Sequence, residues 1–286
     1  MSAGSRRRPS EPLSRWIAER VGRYRAAAVS NARRRAQPRS RKAEVSTRYA
    51  IYYAPPEDSP LGALGRHWFG RDASGRQCRR TIAVPGLGAE RLRSLLAGPR
   101  LYGLHATLKP PFRLAAGMSP EALGEAVAAF ARKFVPIPVP ALRLGVVGRF
   151  VALVPSAPCY LVDGLAAACV AGLDSFRALP SPAELAQRRA AGLTPDQERM
   201  LQRWGYPYVF ESFRFHLTLT DRIDDAAERE AVMAALAPAV AEMSPGPWLL
   251  DAISLFVQAE PGGLFRQRQR CPMAEAGEHS DRRALP

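Results

Sequence analysis

The chain has 286 residues and a mass of 31.2 kDa, with 47% apolar and 23% charged residues. That is enough to bury a core without disulfide staples, which excludes wholesale disorder. No apolar stretch approaches the roughly 20 residues that cross a bilayer, so no membrane role is expected.

The four cysteines, Cys78, Cys159, Cys169 and Cys271, lie far apart without a metal-type spacing. Neither a disulfide framework nor a zinc knuckle is expected, and a reducing, cytoplasmic setting follows. The net charge of +15 invites a nucleic-acid partner, but its distribution argues otherwise. Residues 1–44 hold thirteen Arg or Lys against Glu11, Glu19 and Glu44, a net of +10, which leaves only +5 for the rest. With Trp16, Ile17, Val21 and Tyr24 as its main apolar anchors, this stretch reads as a basic, disordered extension. A basic arm touching RNA or an anionic surface, a targeting peptide, and a misassigned start with the true one at Val45 all stay open.

The folded region opens with a strand over 48–54, which stops at Pro55-Pro56. Short helices are expected over 61–69 and 89–96, and a strand over 105–112. Ser119 before Pro120 caps a helix that runs to about Arg132. Strands follow over 142–146 and 150–154, around a turn at Gly148. The second half repeats this grammar more loosely. An Ala-rich helix spans 161–176, and Ser181-Pro182-Ala183-Glu184 and Thr194-Pro195-Asp196-Gln197 each read as a capping box with proline inside the first turn. A strand over 214–220, a helix from about Asp224, strands around 248–258 and 264–270, and a loose polar tail over 272–286 complete the chain.

His105-Ala106-Thr107-Leu108 recurs 111 residues later as His216-Leu217-Thr218-Leu219. With four histidines and six threonines in the whole chain, chance would produce such a pair in roughly 0.3% of shuffled sequences. On a strand, residues two apart share a face. The first strand is therefore expected to present His105, Thr107 and Lys109 together, and the second Arg214, His216, Thr218 and Thr220. Two imidazoles facing one cleft suit a phosphodiester: a neutral ring takes a proton from attacking water while an imidazolium opposite protonates the leaving oxygen. Thr107 and Thr218 would hydrogen-bond nonbridging oxygens, and Lys109 or Arg214 would offset the growing charge. No third His, Cys or Asp ligand accompanies the pair, so no metal or other cofactor is expected. A purely structural role for two strand-borne histidines is the alternative. Tyr206 and Tyr208 suit either stacking on a base or sugar or packing in the core. His67 and His279 lack the repeated context.

These residues give the chain a resemblance to the two-histidine (2H) phosphoesterase superfamily, and within it to a phosphonate metabolism protein family of bacteria. The likeness covers about residues 47–271. It is carried by Arg48-Tyr49-Ala50-Ile51-Tyr52, Tyr102-Gly103-Leu104 leading into His105, Trp204-Gly205-Tyr206-Pro207-Tyr208, and the run from Phe213 to Thr220. It implies an α+β, bilobal fold of duplicated ferredoxin-like halves around a central cleft, with lobes of roughly 47–155 and 156–271 that can exchange elements. It implies catalytic roles for His105 and His216, phosphate binding by Thr107 and Thr218, and no metal or cofactor. The implied substrate is a small cyclic phosphate, with a phosphoribosyl cyclic phosphate as one candidate. An RNA 2′,3′-cyclic phosphodiesterase or RNA end-processing or ligase activity, and a nonenzymatic phosphate- or RNA-binding module, are the competing functions.

Overall fold

A computed structural model describes residues 47–243 and 246–275. The basic segment 1–44 and most of the tail lie outside the described residues. Nine strands and seven α-helices are present among those described. In chain order they are β1 (Arg48–Tyr53), α1 (Pro60–Phe69), α2 (Ala89–Arg100), β2 (Ala106–Phe112), α3 (Pro120–Ala131), β3 (Ile137–Val139), β4 (Leu142–Val147), β5 (Phe150–Pro155) and α4 (Tyr160–Gly172). After these come α5 (Pro182–Arg189), α6 (Pro195–Trp204), β6 (Leu217–Thr218), α7 (Ala226–Met243), β7 (Trp248–Leu250), β8 (Ala252–Gln258) and β9 (Arg266–Pro272). The fold is α+β. Seven strands form one antiparallel sheet in the order β4-β5-β6-β2-β1-β8-β9, and β3 pairs with β7 separately.

Helix starts follow the sequence closely. Ser59, Ser119, Ser181 and Thr194 each accept a backbone N–H of the first turn that would otherwise go unpaired, and the last two form complete capping boxes. Apolar faces of α1, α2, α3, α4 and α7 then pack on one side of the sheet, around Ile51, Leu108, Leu153, Leu217 and Leu255. Trp68 of α1 reaches through this layer and donates its indole N–H to the Leu219 carbonyl at 2.7 Å. Ala50, Tyr52, Ala54, Phe256 and Phe265 form a smaller cluster of their own.

Two expectations need correction, and one short strand is new. The strand expected over 214–220 shrinks to Leu217–Thr218, because residues 210–212 form a 3-10 turn and Arg214 spends its guanidinium on the Glu211 and Phe213 carbonyls. Those local bonds replace a ladder. The tail does not loosen at Pro272: Met273 and Ala274 are buried and donate backbone N–H groups to the Asp251 and Phe134 carbonyls. Short β3, set among Pro136, Pro138 and Pro140, goes unforeseen because alternating prolines read against a strand.

Candidate active site

Strands β2 and β6 meet at one rung, Ala106 opposite Leu217. These are the middle residues of the two His-x-Thr motifs. One step along an antiparallel ladder in either direction sets His105 across from Thr218 and Thr107 across from His216, all on the face away from the Ala106–Leu217 rung. Diagonal neighbours of this kind stand about 7–8 Å apart, which leaves room for a phosphoryl group between the rings. The motifs are thus related by a local two-fold axis through the rung. The structure brings together the four residues that the sequence singles out most strongly.

A second duplication was not foreseen. His105 Nδ1 lies 2.9 Å from the Gly103 carbonyl, and His216 Nδ1 lies 2.7 Å from the Arg214 carbonyl. A carbonyl can only accept, so each Nδ1 carries the proton and each Nε2 keeps its lone pair. Both imidazoles are therefore oriented by the backbone two residues upstream. No side-chain hydrogen bond engages Thr107 or Thr218 among the described residues, so both hydroxyls are open to a ligand.

His105 is buried and its ring packs 4.2 Å from Tyr52 and 5.3 Å from Tyr102, which in turn stacks on Phe265 at 4.8 Å. Burial pushes its pKa from 6.5 down to about 4; the Gly103 carbonyl opposes that, while the charges of His216 and Arg71 add to it. Burial also lowers the pKa of the more open His216, against the pull of the Arg214 carbonyl. The sign for stability follows. The unfolded chain binds a proton at His105 between pH 6.5 and 4 that the folded chain refuses, so folding weakens as pH falls through that window. The loss is expected to approach roughly 3 kcal/mol at the acid end. Urea unfolding at pH 7.5 and pH 4.5 checks it, since His105→Gln should lose clearly less than the parent protein.

Beneath this wall lies Arg71, a buried guanidinium that sequence reasoning missed. It donates to the carbonyls of Asp72, Arg100, Leu101 and Phe265 at 2.8–3.0 Å and thereby ties the loop before His105 to the strand region around Phe265. Burial, then the charge of Arg100, lowers its pKa to about 10. Gly103 sits over it with φ of +72°, a left-handed conformation that glycine adopts freely. Gly103→Ala is expected to cost about 1–2 kcal/mol, read from the urea midpoint. The added methyl would meet Arg71 at an ordinary 3.6 Å, so backbone conformation and not a clash sets that cost.

Other expected site residues fall elsewhere. Lys109 does not share the face of His105 and Thr107. The register of β2 against β1 slips by one residue between Thr107 and Lys109 and again before Phe112, as Pro110 and Pro111 withhold ladder donors. Each slip is a bulge, and one extra residue reverses the parity beyond it. Lys109 therefore points into the helical layer, where it donates to the Val170 carbonyl at 2.9 Å and pairs with Asp174 at 3.5 Å. Thr220 is fully buried, and its hydroxyl accepts the Val151 N–H at 3.1 Å, a structural role. Arg214 is exposed, and its guanidinium is turned back onto the Glu211 and Phe213 carbonyls. Tyr206 is half-buried beneath the Arg188 guanidinium at 4.8 Å and bears electrostatically on Tyr52, whereas Tyr208 is exposed and meets Tyr206 edge-on at 5.6 Å. Among the described residues no three His, Cys, Asp or Glu side chains converge as a ligand set, and no helix is long and apolar enough to cross a membrane.

Fold and site together define an α+β protein in which two strand-borne His-x-Thr motifs cross at a single rung. The chain belongs to the family described as a protein of unknown function (DUF1045), whose pattern matches residues 107–266. It is 39% identical over 243 residues to a protein of Janthinobacterium sp. (strain Marseille) named ribose 1,5-bisphosphate phosphokinase PhnN, covering 83% of this chain and 53% of that protein. A protein of the same name from Laribacter hongkongensis (strain HLHK9) is 35% identical over 236 residues, covering 82% and 54%. The chain spans about half the length of these curated relatives. Among solved structures it is similar to a crystal structure of a phosphoesterase, with a TM-score of 0.37 and 15% identity over 80% of this chain and 99% of that one. It is also similar to E. coli LigT complexed with NADP+, with a TM-score of 0.38 and 14% identity over the same shares.

Proposed function

We propose that the protein is a phosphodiesterase of the two-histidine type that opens a small cyclic phosphate without a catalytic metal. The observation that carries this reading is the crossing of the two motifs at Ala106 and Leu217, which faces His105 and His216 across a space lined by two free threonine hydroxyls. Thr107 and Thr218 hold the nonbridging oxygens. His105, deeper and with its pKa near 4, stays neutral and takes the proton of the attacking water through Nε2 as the new P–O bond forms. The opposite ring P–O bond breaks in line, and His216, charged by the incoming anion, gives its Nε2 proton to the departing oxygen. One water is consumed, and the product is a phosphomonoester with a free hydroxyl. The first imidazolium then returns its proton to solvent.

The relatives' name places a ribose bisphosphate kinase in polypeptides about twice as long as this match. This chain contains no G-x-x-x-x-G-K-S/T phosphate loop, so that kinase activity is not carried over. What the name supports is a ribose phosphate as the class of substrate, and a ribosyl cyclic phosphate is the form that the two histidines would open.

A panel of ribosyl cyclic phosphates, 2′,3′-cyclic nucleotides and RNA ending in a 2′,3′-cyclic phosphate, with product identification by 31P NMR, tests the proposal. Opening of the ribosyl compounds that persists in excess EDTA is expected. Turnover confined to RNA ends would replace this substrate with the nucleic-acid alternative. Binding without turnover of any of them would leave a phosphate-binding module, and loss of activity with EDTA would overturn the metal-free mechanism.

A further inference from the structure

Arg71 is only 1% exposed and spends every donor it has on the backbone. Its Nε–H goes to the Asp72 carbonyl at 3.0 Å, and Nη1 to the Arg100 and Leu101 carbonyls at 3.0 Å each. Nη2 goes to the Phe265 carbonyl at 2.8 Å and the Ala73 carbonyl at 3.4 Å. A guanidinium has about five N–H donors, so none is left for a substrate. The neighbouring Asp72 carboxylate is spent elsewhere, accepting from the Ser74 hydroxyl and from the backbone and Nε of Arg76 at 2.7–2.9 Å. A buried cation held by carbonyls alone is costly. Part of that cost is offset by α2, whose last carbonyls it meets at the negative end of the helix dipole.

Helix capping does not account for the rest of its surroundings. The Arg71 guanidinium lies 3.6 Å from where a Cβ on Gly103 would stand, and the Gly103 carbonyl is the group that holds His105 Nδ1. Phe265 gives its carbonyl to Arg71 and its N–H to the Leu101 carbonyl at 2.7 Å; its ring stacks on Tyr102, and Tyr102 stacks on His105. The carbonyl behind the His105 ring and the stack beside it thus rest on one guanidinium.

The second motif has no such support among the described residues. His216 Nδ1 leans on the Arg214 carbonyl, and the Arg214 guanidinium is exposed. A local two-fold would leave the two imidazoles interchangeable as acid and base, and this difference behind them removes the symmetry. The groups facing His105 are Tyr52 from β1, Tyr102 from the turn after α2, His216 from β6 and Arg71; those facing Arg71 are Arg100, Asp72 and Arg266. Burial, then the charges of His216 and Arg71, keep His105 neutral against the pull of the Gly103 carbonyl, whereas burial alone acts against the Arg214 carbonyl at His216.

We propose that Arg71 is a positioning residue: by pinning the Gly103 peptide and the Tyr102–Phe265 stack from beneath, it holds His105 with its Nε2 lone pair free and makes this histidine, not its twin, the proton acceptor. The consequence for turnover rests on the two-histidine reading above; the consequence for the imidazole does not.

Nitrogen NMR of the full chain, labelled at its four histidines and assigned with His105→Gln and His216→Gln, reads tautomer and charge without a substrate. In the parent protein both motif rings are expected to hold the proton on Nδ1 at neutral pH, and His105 to become charged at lower pH than His216. In Arg71→Met the Nε2–H form of His105 should rise at least about fivefold against the Nδ1–H form, the worth of one ordinary hydrogen bond, while His216 keeps its tautomer. On a cyclic phosphate the same variant should lower kcat at least about tenfold with KM within about twofold, and move the acid limb of kcat/KM to higher pH. A thermal transition verifies folding. Arg71→Lys keeps the charge at the end of α2 but lacks the fork, so it carries the same tautomer test where Arg71→Met does not fold. An unchanged His105 tautomer in the folded variant overturns the proposal whatever the activity does, as does a parent protein in which His105 charges at the same pH as His216 or higher. If no cyclic phosphate turns over in the parent protein, the phosphodiesterase reading fails, and the nitrogen spectra still decide the role of Arg71.

Discussion

His105→Ala and His216→Ala are each expected to lower kcat at least about 100-fold on a cyclic phosphate, because each removes one partner of a matched proton transfer. The pH profile carries more information than the loss itself. In the free protein the base must be neutral and the acid charged, so the acid limb of kcat/KM belongs to His105 near pH 4 and the alkaline limb to His216, below 6.5. The bell should peak on the acid side of neutrality. Bound substrate adds negative charge beside both rings, raises both pKa values, and so should move the kcat optimum upward relative to that of kcat/KM. Residual activity of His105→Ala should lose the acid limb and that of His216→Ala the alkaline one. A folded double variant that keeps its turnover would end the two-histidine mechanism.

The largest effect on stability is expected at a residue that never touches the site. Asp174→Ala strips the partner from Lys109, whose side chain is only 2% exposed, and should destabilise the fold by about 3 kcal/mol in urea unfolding. Burial already lowers the Lys109 pKa from 10.5 to about 8 while Asp174 props it up. Between those values the unfolded chain binds the proton that the folded chain sheds, so stability rises with pH through that window. Removing Asp174 should start the rise at lower pH. Lys109→Met in the same background should recover much of the loss, since an apolar side chain has no charge to strand. Asp174 also holds Arg177, and the part that Lys109→Met fails to recover measures that second bond. A loss below about 0.5 kcal/mol would show that the pair carries no structural weight.

How far the residues reveal this arrangement depends on the range of the forces involved. Capping at Ser181 and Thr194 is complete within four residues, and those helices start where the sequence places them. The parity that sets His105 beside Thr107 is equally local. Lys109 escapes the same reasoning because its orientation is decided by a slip against β1, more than fifty residues upstream, and by prolines that leave the strand short of donors. The abbreviation of β6 was likewise hidden: Phe213 to Thr220 alternates like a strand, yet Arg214 and His216 satisfy nearby carbonyls without one. Arg71 and the aromatic wall could not be read at all, since Tyr52, Tyr102 and Phe265 meet only after the chain has folded. The tyrosine and glycine just before His105 were visible as a motif, but not their task of holding the ring.

Sheet order has a consequence for synthesis. Strand β1 takes its outer neighbour, β8, from much later in the chain, while β2 and β5 both close on β6, more than sixty residues after β5. A nascent chain that has emerged only to Pro155 holds one of the two motif histidines and three strands, β1, β2 and β5, that still lack a partner. Such an intermediate depends on shielding until β6 and β8 have emerged, and splitting the chain after Pro155 should yield two fragments that work only when made together.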